Sequence, residues 1–206
     1  MRDRNNYLIQ RDAAKKYFLG FDQEEIINKW DLSFDHTYLY VTFVNEEYRI
    51  HRNTGTVEKG FRESEGLREA GFEEVLSVFD LLCHGNRENG LSGEWAPVNS
   101  LKGRPPTAGV PEQNSGKYAD LFDREPERFK AACEKLGGRP VDMGDVGYEF
   151  PVFADLKVRL KMYHADEEFP AQAILLWDMN TLEYMYYETV FYVKNWLIEK
   201  ISVLMS

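Results

Sequence analysis

The first segment of the chain has the spacing of apolar residues that is typical of helices. Tyr7–Leu19 is predicted to form a helix that ends at Gly20. Asp22 followed by Glu25 resembles a capping box, which predicts a second, short helix that ends at Trp30.

Strand-like alternation then replaces the helical period. In TYLYVTFV, residues 37–44, the side chains of Leu39, Val41 and Phe43 fall on one face of an extended chain. Polar turn residues separate this segment from YRIH and then from TVEK. The pattern predicts a three-stranded antiparallel meander.

The middle of the chain combines one amphipathic helix with a long loop. Phe72–Cys83 carries an apolar stripe at helical spacing, and Gly85 or Asn86 suits a left-handed cap at its end. From 85 to 117 the density of Gly, Pro, Asn and Ser predicts a loop. A loop of this length is often a lid or a binding loop.

The last part of the chain contains further helices and strands. Pro126 can begin a helix, and Tyr148–Tyr163 is interpreted as a strand bent at Pro151. A second strand, more buried than the first, is predicted over Ala173–Trp177. A helix is predicted from about Glu188 onward.

Helices and strands therefore come in blocks joined by short turns. This order predicts an α+β fold with a largely antiparallel sheet and flanking helices. We expect a single domain over residues 1–206, with 85–117 as a long loop within it.

Composition and charge narrow the functional classes. The 206 residues are 43% apolar and carry a formal net charge of −10, so a nucleic-acid or anionic-lipid partner is not expected. No segment has the pattern of a secretory signal or a membrane helix. Cys83 and Cys133 lie far apart, which favours reduced thiols and a cytoplasmic location.

The stretch YHADEEFPAQAILLWD, residues 163–178, holds the densest group of candidate chemical residues. His164 and Asp166 share one face of an extended segment, and Glu167 and Glu168 follow directly. One interpretation is a metal or acid–base site that also uses Asp178. The other is a solvated acidic turn before a buried strand, with Arg159 and Lys161 as the cations nearest in sequence.

Other catalytic patterns are weaker. No HxxxH, HExxH or CxxC spacing and no phosphate-binding glycine motif occurs in the chain. Cys83 lies on the apolar stripe of its predicted helix and is interpreted as a core cysteine. Six aromatic residues near the start of the last helix either pack in the core or line a pocket for a flat ligand: Tyr184, Tyr186, Tyr187, Phe191, Tyr192 and Trp196.

Trp95 is unusual because it is a large aromatic residue in a polar loop, LSGEWAPVNSL. It either pins the loop to the core or faces a ligand. We predict that Glu94 and Trp95 meet the segment His164–Glu168 in space. In one version Trp95 stacks on Phe169 or Pro170, and in the other the carboxylates and the ring line a cleft for a cationic ligand.

The residues Asp166-Glu167-Glu168-Phe169-Pro170, the strand after them and Asp178 resemble the signature of a prokaryotic family, domain of unknown function 3786. The segment Leu91–Leu101 is similar to the Gly-x-Trp loop of that family. The resemblance spans most of the chain and brings no established activity. Some members look joined to an iron–sulfur domain, which implies anaerobic one-carbon or corrinoid metabolism. With two cysteines, this chain is not expected to hold a four-thiolate cluster alone, and no cofactor or metal is predicted.

Three functional hypotheses follow. The leading one is a non-catalytic soluble binding or accessory domain that engages a small ligand or a protein partner. Its predicted ligand contacts are Glu94, Trp95, His164, Asp166, Glu167 and Glu168. The alternative is a metal-assisted hydrolase or lyase that uses His164, Asp166, Glu168 and Asp178. The third is an interaction subunit that presents an acidic face to a basic protein. The sequence does not determine the oligomeric state.

Overall fold

A computed structural model describes residues 2–60, 66–106 and 116–206. Its helices in these ranges are α1 (Arg2–Phe18), α2 (Gln23–Trp30), α3 (Phe72–Cys83), α4 (Lys117–Arg124), α5 (Pro126–Lys135), α6 (Thr181–Tyr184) and α7 (Tyr187–Leu204). Its strands are β1 (Ser33–Phe34), β2 (Tyr38–Phe43), β3 (Glu46–His51), β4 (Val57–Lys59), β5 (Arg68–Glu69), β6 (Trp95–Ala96), β7 (Arg139–Pro140), β8 (Val146–Phe153), β9 (Leu156–Tyr163) and β10 (Gln172–Asp178).

The strands form two antiparallel sheets, so the predicted α+β class is confirmed. The first sheet has the order β1-β2-β3-β4-β5, and the second has the order β6-β10-β9-β8-β7. The predicted meander corresponds to β2, β3 and β4, and a two-residue edge strand extends it on each side. The two sheets touch where the Val44 N–H donates to the Val152 carbonyl at 2.9 Å.

The predicted bent strand over Tyr148–Tyr163 is wrong. The segment is a hairpin in which β8 and β9 pair from Val146↔Met162 to Phe153↔Leu156. The reversal takes place at Ala154-Asp155, where Ala154 has a φ of 49°. Because neither residue is glycine, proline or asparagine, the usual signal of a tight hairpin is missing from the sequence.

The predicted left-handed cap after α3 is also wrong. His84 ends the helix with a φ of −105°, and neither Gly85 nor Asn86 has a positive φ. Glycine is required at 85 for space, because a Cβ there would lie 2.4 Å from the Leu81 carbonyl oxygen and 2.8 Å from the Trp30 ring. The end of α3 can therefore approach α2 closely.

The predicted loop over 85–117 contains some regular structure. It includes β6 and a short 3₁₀ helix over Val98–Ser100, and α4 begins at its last residue, Lys117. Residues 107–115 lie outside the described ranges. The helix predicted to begin at Pro126 is confirmed as α5.

Helices α1, α3 and α7 pack side by side and create the groove described below. Phe18 of α1 stacks on Phe79 of α3 with ring centroids 4.7 Å apart. Phe72 of α3 contacts Tyr192 of α7 edge-on at 5.7 Å. The buried apolar side chains of helices and sheets form one connected core.

Candidate functional site

The Trp95 loop is fixed to the end of β10 by Asp178. This carboxylate is fully buried and accepts hydrogen bonds from the Ser92 N–H, the Ser92 hydroxyl, the Gly93 N–H and the Asn180 N–H, at 2.7–3.0 Å. Burial alone would raise its pKa, but the hydrogen bonds from Ser92, Asn180 and Gly93 outweigh that effect and lower the pKa. Asp178 is therefore a structural anchor of the loop.

Trp95 itself lies on the surface of the second sheet. Its ring stacks against the Arg159 guanidinium, with the Cζ atom 4.0 Å from the ring centroid. Arg159 also pairs with Glu149 at 2.9 Å. The contact with Arg159 holds the ring against the surface of the sheet, and it is not a contact with the core.

The segment Asp166–Phe169 forms a self-contained turn. The Asp166 carboxylate accepts from the Glu168 N–H at 2.8 Å and from the Phe169 N–H at 2.7 Å, and these bonds lower its pKa. The expected cations do not reach this turn, because Arg159 binds Glu149 and Lys161 Nζ lies 3.4 Å from the Tyr163 hydroxyl. The Asp166 carboxylate is bound by backbone donors instead.

His164 is bound by residues that do not belong to the predicted cluster of His164, Asp166, Glu168 and Asp178. Its Nδ1 lies 2.6 Å from Asp123 Oδ1, and its backbone N–H donates to Asp145 at 2.8 Å. The Ala165 N–H donates to Asp123 as well, at 3.3 Å. Asp123 and Asp145 were not anticipated, because they lie on α4 and on the segment before β8, far away in sequence.

The predicted meeting of the Trp95 loop with the acidic turn is wrong. Trp95 pairs with Asp178 at one end of β10, whereas the turn precedes Gln172 at the other end. A strand advances about 3.3 Å per residue, so the two features are separated by roughly 20 Å of strand. Sequence reasoning could not detect this, because alternation defines the faces of a strand and not the end at which a distant loop docks.

The same geometry separates the four residues of the metal hypothesis. Asp178 lies beside the Trp95 loop, away from His164, Asp166 and Glu168. Within residues 2–60, 66–106 and 116–206, no group of three His, Cys, Asp or Glu side chains is arranged to hold a metal ion.

A different candidate site lies in the groove between α1, α3 and α7. A cavity of about 200 Å³ lies there, and Ala14 and Tyr17 of α1 form one side of it. The side formed by α3 and the residue after it consists of Leu76, Phe79, Asp80 and His84. The side formed by α7 and the residue before it consists of Tyr186, Thr189 and Tyr192. The lining is mostly aromatic and apolar, with one carboxylate.

Asp80 is the chemically unusual member of this lining. The residue is only 8% exposed, and its Oδ2 accepts from the Tyr186 N–H at 2.8 Å. Its Oδ1 is buried with no hydrogen-bond partner in the described ranges. Burial raises the pKa of this carboxyl, although hydrogen bonds from Thr189 and Tyr186 oppose the shift. An incompletely satisfied buried carboxylate is costly, which marks Asp80 as a binding candidate.

Aromatic rings form the outer wall of the cavity. His84 stacks on Tyr17 with centroids 5.4 Å apart and contacts Tyr186 at 4.7 Å. The Tyr186 hydroxyl lies 3.1 Å from His84 Nδ1. Tyr17 and Tyr186 are each 55% exposed, so both residues border solvent as well as the cavity.

The sequence contained part of the signal for this groove. The aromatic cluster at the start of α7 was recognised as a core or a pocket, and Tyr186 and Tyr192 line the cavity. Asp80 was missed, although a single carboxylate in the apolar run VFDLLC is a detectable anomaly. The contribution of α1 could not be predicted, because it depends on which face of α3 the first helix covers.

A buried polar network lies beneath the neighbouring part of the groove. Glu74 accepts from the Tyr48 hydroxyl at 2.7 Å, from Trp196 Nε1 at 3.0 Å and from the Gly71 N–H at 2.6 Å, and it pairs with Lys59. Burial opposes the ionised form, but Lys59 and the hydrogen bonds outweigh it and lower the pKa of Glu74. Both oxygens of this carboxylate accept hydrogen bonds within the protein, three at Oε1 and one at Oε2.

Neither cysteine has the environment of a nucleophile. Cys83 and Cys133 are buried and unpaired. Burial raises the pKa of Cys83 to about 12, so this thiol is protonated at neutral pH. Cys83 is part of the core, as its position on the apolar stripe of α3 predicted.

Comparison with known proteins identifies the family. A family model described as a domain of unknown function, DUF3786, matches residues 22–200. The chain therefore belongs to this family, as the resemblance in the acidic turn and the Trp95 loop predicted. No curated protein and no solved structure matches the chain. In the described ranges, no helix is long and apolar enough to cross a membrane.

The unpartnered charge of Asp80 should make the protein less stable at neutral pH. Its pKa is raised in the folded state, so the fold binds more protons than the unfolded chain between 3.8 and that raised value. Stability from this group is present below pH 3.8 and is lost as the pH rises through the folded-state pKa. Asp80→Asn should therefore increase the free energy of unfolding at pH 7 by about 1 kcal/mol, with little change at pH 4.

Urea denaturation of both proteins at several pH values measures this difference. Asp120→Asn is the control, because Asp120 is an exposed carboxylate on α4, away from the groove. A loss of stability in Asp80→Asn at pH 7 would mean that the buried carboxylate is fully compensated by its surroundings.

Proposed function

We propose that this protein is a non-catalytic binding domain whose groove between α1, α3 and α7 holds a small organic cation of the ammonium type. The observation that carries the proposal is Asp80, a buried carboxylate with one unpartnered oxygen in an aromatic-lined cavity. An ammonium group would give that oxygen a charged donor, and the rings would attract the cation through their faces.

The charge of the whole protein supports a cationic ligand. The net charge of −10 favours the approach of cations and disfavours anions at any site on the surface. The two buried free thiols suit a reducing compartment, and we place the domain in the cytoplasm on that basis.

The ligand contacts predicted from the sequence lie elsewhere. Glu94 and Trp95 are at one end of β10, and His164, Asp166, Glu167 and Glu168 are at the other end. Their roles stay predictions, now for two separate surfaces. The groove differs from both surfaces because it combines a cavity with a carboxylate that the fold leaves incompletely satisfied.

Titration calorimetry with butylamine tests the proposal, with butanol as the neutral ligand of similar shape. We expect butylamine to bind and butanol not to bind. Asp80→Asn should weaken butylamine binding at least about ten-fold, which corresponds to about 1.4 kcal/mol. Asp166→Asn is the matched control, because this carboxylate is exposed and accepts backbone hydrogen bonds within its own turn.

Two results would contradict the proposal. Equal binding of butylamine to the wild type and to Asp80→Asn would exclude Asp80 as the ammonium acceptor. Loss of binding in Asp166→Asn alone would move the site to the acidic turn at the start of β10.

A further inference from the structure

We infer that the natural ligand of the groove is a linear diamine or polyamine, with one ammonium group at Asp80 and a second at Glu73. The inference rests on the proposed function, because it adds a second charged subsite to the same groove. It is carried by a second cavity that adjoins the first and by the spacing of the two carboxylates on α3.

The second cavity lies next to the first along the same three helices. It has a volume of about 640 Å³, and Tyr192 of α7 borders both cavities. Its other lining residues come from α1, from the start of α3 and from α7, and they include Tyr7, Phe72, Glu73, Asn195 and Glu199. A long ligand that lies along α3 would therefore occupy both cavities.

Glu73 and Asp80 lie on the same face of α3. They are seven residues apart, which is nearly two full helical turns. With a rise of about 1.5 Å per residue, their Cα atoms are about 10 Å apart along the helix axis. This is the separation of the charged ends of an extended diamine with about eight carbon atoms, given carbon–carbon bonds near 1.5 Å.

The charge around Glu73 favours a cation there. Burial raises the pKa of Glu73, and the negative charges of Glu199 and Glu74 add to the shift, while a hydrogen bond from Asn195 opposes it. Asn195 Nδ2 donates to Glu73 at 3.4 Å, and no lysine or arginine pairs with Glu73 in the described ranges. Glu74 is already neutralised by Lys59, so Glu73 and Glu199 are the carboxylates available to a ligand.

The path between the two carboxylates suits a hydrocarbon chain. Phe72 contacts Tyr192 at 5.7 Å and Tyr7 at 4.7 Å, so aromatic rings border the groove at the second cavity. Methylene groups can pack against these rings and leave water when the ligand binds. A compact ion such as a metal would gain nothing from this apolar stretch.

The hydrogen-bonding pattern at Asp80 favours an ammonium group over a guanidinium group. A guanidinium pairs best with both oxygens of a carboxylate at once. The Oδ2 atom of Asp80 already accepts from the Tyr186 N–H, so a guanidinium fork would share that oxygen with a backbone donor, whereas Oδ1 has no donor. An ammonium group needs only one such acceptor at each end, so a diamine fits better than an arginine-like ligand.

Calorimetric titration of the full chain with a series of diamines tests the inference. The probes are diaminobutane, diaminohexane, diaminooctane and diaminodecane, with octylamine as the single-charge ligand of equal length. We expect the affinity to peak at diaminooctane. This diamine should bind roughly ten-fold or more tightly than octylamine.

Substitution of Glu73 tests whether this residue binds the second ammonium group. Glu73→Gln should reduce the ratio of the diaminooctane and octylamine affinities to about one, whereas the exposed control Glu127→Gln should leave that ratio unchanged. Thermal unfolding of each variant confirms that it is folded before titration. An unchanged affinity ratio in Glu73→Gln would contradict the assignment of Glu73.

The outcomes separate this inference from the proposed function. Octylamine and diaminooctane binding with equal affinity would overturn the second subsite and leave ammonium binding at Asp80 intact. A steady rise in affinity with chain length for both series would indicate nonspecific apolar binding and would also overturn it. No binding of any amine would overturn both proposals.

Discussion

Replacing Glu74 with glutamine should lower the free energy of unfolding by about 3–5 kcal/mol. This is the cost of removing one partner of a buried ion pair and leaving the other charge without compensation. Glu74 connects four elements, because its partners are Tyr48 of β3, Lys59 of β4, Trp196 of α7 and the Gly71 N–H at the start of α3. The carboxylate thereby joins the first sheet to the two helices that border the groove.

The large effect expected of Glu74→Gln has a specific cause. The atoms that bind Glu74 include a backbone N–H, an indole N–H and an ammonium group, which can only donate. A carboxylate accepts at both oxygens, whereas a glutamine side chain replaces one oxygen with an NH₂ group that must face a donor. The variant also leaves Lys59 with Glu46 as its remaining ion-pair partner, at 3.6 Å.

Urea denaturation at pH 7 measures this effect, and Glu127→Gln is the matched control. Glu127 also pairs with a lysine, Lys130 at 2.9 Å, but its side chain is 84% exposed, so its replacement should cost less than about 1 kcal/mol. A double-mutant cycle tests the ion pair. The double variant Lys59→Met/Glu74→Gln should lose less free energy of unfolding than the sum of the losses in the two single variants. An equal decrease in the free energy of unfolding in Glu74→Gln and Glu127→Gln would show that Glu74 does not stabilise the contact between the first sheet and the helices.

The elements that were predictable from sequence depend on local patterns. The α3 helix was predicted with both of its ends, because the stripe from Phe72 to Cys83 has an unbroken helical period. The β2 strand was predicted because Leu39, Val41 and Phe43 alternate with Tyr38, Tyr40 and Thr42. The Asp22 cap was predicted from its spacing to Glu25 and accepts from the Glu24 and Glu25 N–H groups.

The features that were missed depend on contacts between distant segments. The pairing of Trp95 with Asp178 joins residues that are 83 positions apart, and no local pattern encodes that register. The hairpin turn at Ala154-Asp155 lacks the Asn-Gly or Asp-Gly pair that usually marks a tight hairpin, so β8 and β9 were merged into one strand.

The candidate site was missed for a related reason. Asp80 gains its significance only when Tyr17 of α1 and Tyr186 at the start of α7 close around it. Composition favours a cationic ligand, because the net charge is acidic and aromatic residues are numerous, and this expectation stays a prediction. Composition does not indicate the place where such a ligand would bind.

Replacement of Asp178 has the second large expected effect, which concerns the loop that contains Trp95. Asp178→Ala should lower the free energy of unfolding by about 3–4 kcal/mol at pH 7, because several charge-assisted hydrogen bonds are lost from a fully buried position. The loop around Ser92 and Gly93 should then detach from β10. Limited proteolysis should cut this loop in Asp178→Ala faster than in the wild type.

The pH dependence separates the charge of Asp178 from its packing. Asp178→Asn keeps the shape of the side chain but cannot be ionised, and its NH₂ group must face a donor from Ser92 or Gly93. The pKa of Asp178 is lowered in the fold, so its stabilisation is complete above the ordinary value of 3.8 and is lost as the pH falls through the folded-state pKa. The stability difference between wild type and Asp178→Asn should therefore be large at pH 7 and should shrink below about pH 4. Urea denaturation of both proteins from pH 7 to about pH 3 tests this expectation. A difference that stays constant over that range would mean that shape holds the Trp95 loop to β10, and that the ionised carboxylate does not.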